Sequence, residues 1–367
     1  MKTYVLHKTA ADLKLKVDYA KELNAEQLAV VTDGDGPCLV LAGAGSGKTR
    51  TITYRVSRLL EGGVAPEQIL LLTFTNKAAK EMLGRVSELT GVSVGRMYGG
   101  TFHGVCHRIL RESTERAGLK PGFTILDSED AKDLMKICVR EAGVDPKAKR
   151  FPSPAVLLSI VSFARNSEQP LLAVLEAKHP NFLEILDQIR AVAESYAAKK
   201  RMSNAVDFDD LLTLTLGLLR DDEGARLHYA AKFRYILVDE YQDVNRIQAD
   251  IVRLLSSVHG NVLVVGDDAQ SIYSFRAADI KNILDFPRLF PGAKVFRLET
   301  NYRSTPEILS AANRVIRNNP SRHAKELRSA LESGVPVTIA AAEDETAEAE
   351  HVVREIKKLV SERKAKL

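Results

Sequence analysis

The run Ala42-Gly43-Ala44-Gly45-Ser46-Gly47-Lys48-Thr49 constrains this chain more than any other stretch, because its residue types and spacing dictate both a backbone path and a ligand. Before it lies the apolar run Cys38-Leu39-Val40-Leu41, which reads as a buried strand. After it, Ile52, Val56, Leu59 and Leu60 recur at helical spacing between Arg50 and Leu60. A strand that turns through glycines into a helix makes an anion cradle. The glycines let successive amides converge on one point, and the helix N-terminus adds its positive end. The pattern predicts a nucleoside triphosphate held by the backbone from Ala42 to Gly47, with Lys48 on the β- and γ-phosphates and Thr49 on Mg2+. Ala42 stands where such loops usually open with glycine, and Gly43, Gly45 and Gly47 remain to make the turn.

A chain of 367 residues has room for two or three domains. A net charge of +4 permits a polyanionic partner without requiring one. Cys38, Cys106 and Cys138 are far apart and sit in apolar or helical patterns, which argues for reduced core thiols over a disulfide framework or a zinc site. Met1 to Lys16 lacks the apolar core of a signal peptide, and no run approaches the ~18 apolar residues that span a bilayer. The expectation is a cytoplasmic protein with no membrane partner.

Further motifs follow at the ends of other apolar runs. Asn24 and Gln27 have the spacing of a helix capping box, which accounts for Gln27 by itself. An amide facing an adenine edge is the other reading, and its weight comes from the helix leading straight into the glycine loop. Ile69 to Phe74 reads as a second strand ending in Thr73-Phe74-Thr75-Asn76-Lys77. Ligands gather at the carboxyl ends of parallel strands, so Phe74 suits a base-stacking platform as well as a core position. Gly99 to Gly104 repeats the theme, with His103 fitting either a ligand contact or a plain helix start. From about Cys106 to Asn204 strand signals fade into amphipathic helices, such as Pro154 to Phe163 and Phe182 to Lys200. Lys147, Lys149, Arg150, Lys199, Lys200 and Arg201 in this insert suit a phosphate backbone or solvated helix faces equally.

The strand Tyr235 to Val238 ends in Asp239 and Glu240. Carboxylates at the end of a buried strand are costly unless a cation meets them, so Asp239 is assigned to Mg2+ and Glu240 to an attacking water, with a plain helix cap as the competing account. Asn261 to Val265 leads into Gly266-Asp267-Asp268-Ala269-Gln270, which places an amide to sense the γ-phosphate. Five residues on, Phe275 and Arg276 pair a flat ring with a cation, as single-stranded bases and phosphates require. Val295 to Leu298 reads as a strand, Glu299 to Ser304 as a loop and Pro306 to Asn318 as a helix. A strand candidate at Val335 to Ala340 and a helix from about Glu345 to Lys364 follow.

In this order the motifs resemble the N-terminal half of superfamily 1 DNA helicases of the UvrD/Rep/PcrA type, from about Leu23 to Asn319. Leu23 to Gln27 is similar to that family's glutamine motif, and Thr73 to Ala79 and Thr101 to Gly104 to its first DNA-contacting motifs. Val238 to Asp243 resembles its magnesium and water-activating motif, Gly266 to Tyr273 its coupling motif, and Asn301-Tyr302-Arg303-Ser304 the motif that closes over the nucleotide. The resemblance implies an α/β fold, a RecA-like P-loop NTPase parallel sheet flanked by helices, with an all-helical inserted subdomain. It divides the chain into 1–105 and 205–300 for that domain, 106–204 for the insert, and 301–367 for the start of a second motor domain. It implies that Gln27 reads adenine, that Arg50 and Tyr302 sandwich it, and that Arg303 touches the γ-phosphate. Lys48, Glu240, Gln270 and Arg303 would carry catalysis. Phe74, Asn76, His103, Tyr273, Phe275 and Arg276 would contact single-stranded DNA. Phe275 stands where the family often has tryptophan, and the chain has no tryptophan.

The implied activity is ATP-dependent, 3′-to-5′ DNA unwinding at duplex junctions, with repair or replication proteins as partners. Nothing after Ser304 resembles the family's later motifs, so the expectation is a chain that by itself binds ATP weakly, hydrolyses it slowly and does not unwind DNA. A non-motor module, switched by nucleotide and binding single-stranded DNA or a partner, is the alternative. A small-molecule kinase is disfavoured because it leaves Phe74 and Tyr273 to Arg276 without a role.

Overall fold

The computed structural model describes residues 15–143, 151–320 and 323–362. Its strands are β1 (Cys38–Ala42), β2 (Ile69–Thr73), β3 (Tyr98–Thr101), β4 (Thr124–Ile125), β5 (Ala205–Val206), β6 (Tyr235–Val238), β7 (Val262–Gly266), β8 (Lys294–Leu298), β9 (Thr300–Asn301) and β10 (Arg328–Ser329). Six of them form one parallel sheet in the order β3-β2-β6-β7-β1-β8. The central strands are continuous apolar runs because both faces are covered. Leu39 and Leu41 of β1 enter the core under helices Phe102–Glu112, Phe208–Asp221 and Arg246–Leu255, while Cys38 and Val40 enter the opposite core, under helices Lys48–Glu61 and Asn76–Thr90. Leu70 and Leu72 against Ile69 and Leu71 repeat this alternation in β2. The fold is the parallel α/β sheet flanked by helices that the glycine loop and strand-end motifs predict.

A separate core of Met135, Leu157, Ile160, Val174, Ile189 and Tyr196 joins helices Ser128–Glu141, Pro154–Asn166, Leu171–Lys178 and Leu186–Met202. Cys106, where the sequence reading starts the insert, packs instead in the sheet's own core with Ile109 and Leu110. The helix Phe102–Glu112 has its apolar stripe on the sheet, a tertiary fact that helical periodicity alone cannot show. The chain enters and leaves the insert beside the short parallel pair β4–β5, which aligns Thr124 with Ala205 and Ile125 with Val206.

Polar contacts bind the insert to the sheet domain. Lys200, buried at 3% side-chain exposure, donates to Asp207 and, at 2.5 Å, to Asp210. Arg165 donates to Asp210 at 2.6 Å and to Thr213 at 2.8 Å, and the Tyr196 hydroxyl donates to Asp207 at 3.0 Å. Lys200 is therefore an internal counter-ion and not the phosphate-backbone contact considered for it. Lys199 pairs with Glu141 at 2.9 Å, and Arg201 is exposed. Lys147, Lys149 and Arg150 lie outside the described residues.

All three cysteines are free and buried. Among the described residues, no helix is long and apolar enough to cross a membrane. The strand expected at Val335 to Ala340 does not form: these residues take no regular structure, and Val335 and Ile339 are exposed. High β-propensity without a partner edge leaves a strand unmade. The helix that follows spans Glu345–Ser361.

Candidate functional site

Because β6 and β7 lie between β2 and β1, the carboxyl ends of these four strands stand side by side. They carry, in turn, Thr73-Phe74, Asp239-Glu240, Asp267 and the glycine loop, at the edge where parallel sheets hold ligands.

The loop curls through Gly45 and Gly47, whose φ angles of 74° and 87° suit glycine. A Cβ on Gly45 would come within 2.7 Å of both the Asn301 amide nitrogen and the Arg303 Cβ, so the 301–303 segment leans directly on the loop. The Asn301 amide donates to the Ala44 carbonyl at 2.6 Å, and the Tyr302 backbone N–H to the Gly45 carbonyl at 3.0 Å. Within the loop the Ser46 hydroxyl donates to the Gly43 carbonyl at 2.7 Å. Gln27 serves two ends at once. Its carbonyl accepts from the Asn24 N–H at 3.4 Å to complete the capping box, and its amide donates to the Ser46 carbonyl at 3.0 Å. Arg50 is engaged with Glu22 at 2.8 Å and lies over the Tyr54 ring, while Asn24 donates to the Tyr302 hydroxyl at 2.7 Å.

Across from the loop, Lys48 donates to Glu240 at 2.7 Å. Glu240 is held in the left-handed region at φ 50°, a conformation that a non-glycine residue keeps only where its surroundings impose it. The same carboxylate oxygen accepts from Gln242 at 2.9 Å, and the Gln242 carbonyl in turn accepts from the Asp267 N–H at 2.9 Å. Gln270 donates to Asp267 at 2.5 Å. Lys48, Glu240, Gln242, Asp267 and Gln270 thus form one connected chain of contacts across the strand ends.

Asp239 is 7% exposed, and one of its oxygens accepts from the Glu240 N–H at 3.0 Å. Burial, and then the Glu240 charge, push its carboxyl up to about 7, against the pull of Lys48 and that amide. Burial and Glu240 likewise push Asp243 up to about 6, and its Oδ1 is buried without a partner. Carboxyls so disposed fit a divalent cation. Among the described residues no cluster of three or more histidine, cysteine or acidic side chains forms a complete cage. Thr49 and Asp239 would hold Mg2+ only partly, as suits an ion that takes its other ligands from phosphates and water.

A carboxyl whose folded-state pKa is raised lowers stability as pH climbs from its unfolded to its folded value. The Asp239 carboxyl should therefore cost the ligand-free chain stability progressively between about pH 4 and pH 7. Asp239→Asn is expected to remove much of that loss and to stabilise the ligand-free protein at pH 8 by roughly 2–4 kcal/mol. Chemical denaturation of both proteins at pH 5 and pH 8 measures it, and an unchanged difference between the two pH values would contradict it.

The second half of the site is aromatic. Phe74, 43% exposed and thus not a core residue, stacks on Tyr273 with ring centres 5.4 Å apart and planes 20° from parallel. Tyr273 meets Phe275 at 5.8 Å, and the Arg276 guanidinium lies over both rings at 5.4 and 5.6 Å. These side chains come from two strand ends, β2 and β7, and lead into a cleft of about 580 Å³ whose walls include His103, Phe163, Asp239, Glu240, Phe275 and Arg276. Asn76 opens the helix capped by Thr75 and is exposed. Burial holds the His103 imidazole below its usual range despite nearby Asp209, so it is neutral at physiological pH and can meet a ligand as a hydrogen-bonding group without charge. The His103 ring meets Phe208 edge-on at 6.0 Å. Phe208, half-exposed in the first turn after the cap Asp207, escapes the sequence reading. A phenylalanine set among Asp207, Asp209 and Asp210 at a helix start is the signal that could have marked it.

Comparison with known proteins agrees with this geometry. The family model of the UvrD/REP helicase N-terminal domain matches residues 23–291, and that of the UvrD-like helicase C-terminal domain matches residues 296–367. The ATP-dependent DNA helicase PcrA of Staphylococcus epidermidis is 42% identical over 340 residues, covering 92% of this chain and 46% of that protein. The protein of the same name from Staphylococcus aureus is 42% identical over 338 residues, covering 92% of this chain and 45% of its own length. The chain spans about half the length of the curated relatives it matches. With the glycine loop, the paired acids and the aromatic platform all inside the matched region, the chain belongs to the UvrD/REP helicase family.

Proposed function

We propose that this chain is the ATP-binding motor portion of an ATP-dependent DNA helicase, in which ATP hydrolysis drives movement along single-stranded DNA. The observation that carries this reading is that Asp239 and Glu240 line the same cleft as Phe275 and Arg276, so nucleotide chemistry and a stacking platform share one wall. Lys48 is the group that changes partner. Without nucleotide it neutralises Glu240; when phosphates enter the loop, their charge draws Lys48 away, and Glu240 is free to accept a proton from water. Thr49 and Asp239 would hold Mg2+, which would supply charge neutralisation at the phosphates. Gln270 senses the γ-phosphate, and Arg303, beside the loop, adds positive charge there. Gln27, Arg50 and Tyr302 hold the adenine once Arg50 releases Glu22. The loop from Gln270 to Arg276 is short enough to pass a shift at the phosphate to the rings.

On the DNA side, Phe74, Tyr273 and Phe275 stack on bases, Arg276 meets a phosphate, and Asn76 and His103 donate or accept hydrogen bonds. The helices from Ser128 to Met202 form the inserted subdomain and bring Phe163 to the cleft. Movement from 3′ to 5′, action at duplex junctions, and a role beside repair or replication proteins rest on family resemblance.

The test is steady-state ATP hydrolysis with and without single-stranded DNA, in the parent chain and in Phe74→Ala and Phe275→Ala. Stacking is worth roughly 1–3 kcal/mol per base, so each variant should need about tenfold more DNA for half-maximal stimulation. Basal hydrolysis should be unchanged. Equal DNA dependence in all three proteins would remove the platform from the reading, and failure of the parent chain to bind ATP would remove the motor.

A further inference from the structure

Residues His323 to Ser329 run as an extended strap whose alternate side chains, His323, Lys325, Leu327 and Ser329, turn inward. The strap touches three loops of the nucleotide site. The Lys325 side chain is 8% exposed, and its ammonium donates to Asp267 and, at 2.5 Å, to Asp268, both of them buried. Leu327 lies against the glycine loop so closely that a Cβ on Gly43 would stand 2.5 Å from Leu327 Cδ2. The Ser329 hydroxyl donates to the Ser304 carbonyl at 2.7 Å, at the end of the Asn301-to-Ser304 motif. The strap is anchored by its backbone too: the His323 N–H donates to Asp268 at 2.7 Å and the Glu326 N–H to Glu299 at 2.9 Å.

We propose that this strap ties the nucleotide loops into one unit, and that Lys325 is a positioning residue that fixes Asp267 and, through it, the Gln270 amide. The inference rests on the reading of Gln270 as the γ-phosphate sensor. Two adjacent buried carboxylates repel unless a cation sits between them, and Lys325 is the cation in direct contact with both. Although burial opposes it, contact with Lys325 and the His323 amide holds Asp268 below the usual carboxylate range. With its charge balanced in this way, Asp267 is free to accept from Gln270 at 2.5 Å on Oδ2, the oxygen opposite the one that Lys325 occupies. The lysine lies outside the motif that contains Asp267 and Gln270, so a change in the strap reaches the sensor without touching nucleotide.

The test compares binding of a non-hydrolysable ATP analogue and of ADP to the full 367-residue chain. Lys325→Met should weaken the ATP analogue by roughly tenfold and ADP little, the size expected for one charge-assisted hydrogen bond out of place. Lys325→Arg should restore most of the discrimination. If Lys325→Met does not fold, the double variant Lys325→Met/Asp268→Asn relieves the repulsion and should still show the lost discrimination. Equal weakening of both nucleotides would make Lys325 merely structural and overturn the inference, as would no change in either. A parent chain that binds neither nucleotide would instead sink the motor reading, and the inference with it.

Discussion

Replacing Glu240 with glutamine is expected to lower ATP turnover by roughly 10²–10⁴-fold, the usual contribution of a positioned general base, while leaving nucleotide affinity equal or higher. Glutamine keeps the shape of the side chain and can keep a neighbourly contact with Gln242, but it cannot take a proton from water. It also carries no charge to hold Lys48, which donates to Glu240 at 2.7 Å in the ligand-free chain. Phosphates then need not compete with a carboxylate for that ammonium, which is why affinity should not fall. Single-turnover hydrolysis and analogue binding, measured on the same preparation, separate the two effects. Turnover within a few-fold of the parent would exclude Glu240 as the base, and a large loss of affinity would mean that Lys48 depends on Glu240 for its position.

The second large effect is on stability. Lys200→Met leaves Asp207 and Asp210 buried with Arg165 as their remaining cationic partner, at 2.6 Å from Asp210 and 3.9 Å from Asp207. Breaking a buried ion pair by removing one partner costs roughly 3–5 kcal/mol, and Arg165 places the expected loss near the lower end. Burial raises the Asp210 carboxyl, but Lys200 and Arg165 outweigh it and hold that pKa below the ordinary value. A depressed folded-state pKa contributes stability that is complete above the unfolded value and disappears as pH falls through the folded one. The parent should thus lose this contribution in acid, and the difference between parent and variant should shrink there. Denaturant unfolding at pH 7 and at pH 3 reads both quantities, and a Lys200→Met protein as stable as the parent at pH 7 would refute the assignment.

Much of the site is legible in sequence because its groups sit at fixed offsets from strand ends. A glycine loop after an apolar run, two acids after another and an amide after a third need no tertiary information to be placed at one edge of a parallel sheet. Lys200 shows where that logic stops: one turn of helix from solvent, it looks like Lys199, and only the packing of the helix Leu186–Met202 against Asp207 and Asp210 turns it inward. The helix Phe102–Glu112 joins the sheet's core for the same kind of reason, and Val335 to Ala340 fails as a strand for want of a neighbour. The His323-to-Ser329 strap is invisible for a third reason. Its alternation is short, lies among charged residues and acquires meaning only from what each inward side chain meets.

The β4–β5 pair places the two points where the chain crosses between sheet domain and insert next to each other, aligned at Thr124–Ala205 and Ile125–Val206. A segment with its own core whose two chain crossings share one neck is a cassette: it can be exchanged for another of different length without re-threading the sheet. The same neck makes it a lever. Rotation about β4–β5 would change the width of the cleft that Phe163 and Asn166 line, and it must first break the bonds of Arg165 to Asp210 and Thr213 and of Asn166 to Asp209 and Asn245, so those bonds set how far the lever swings.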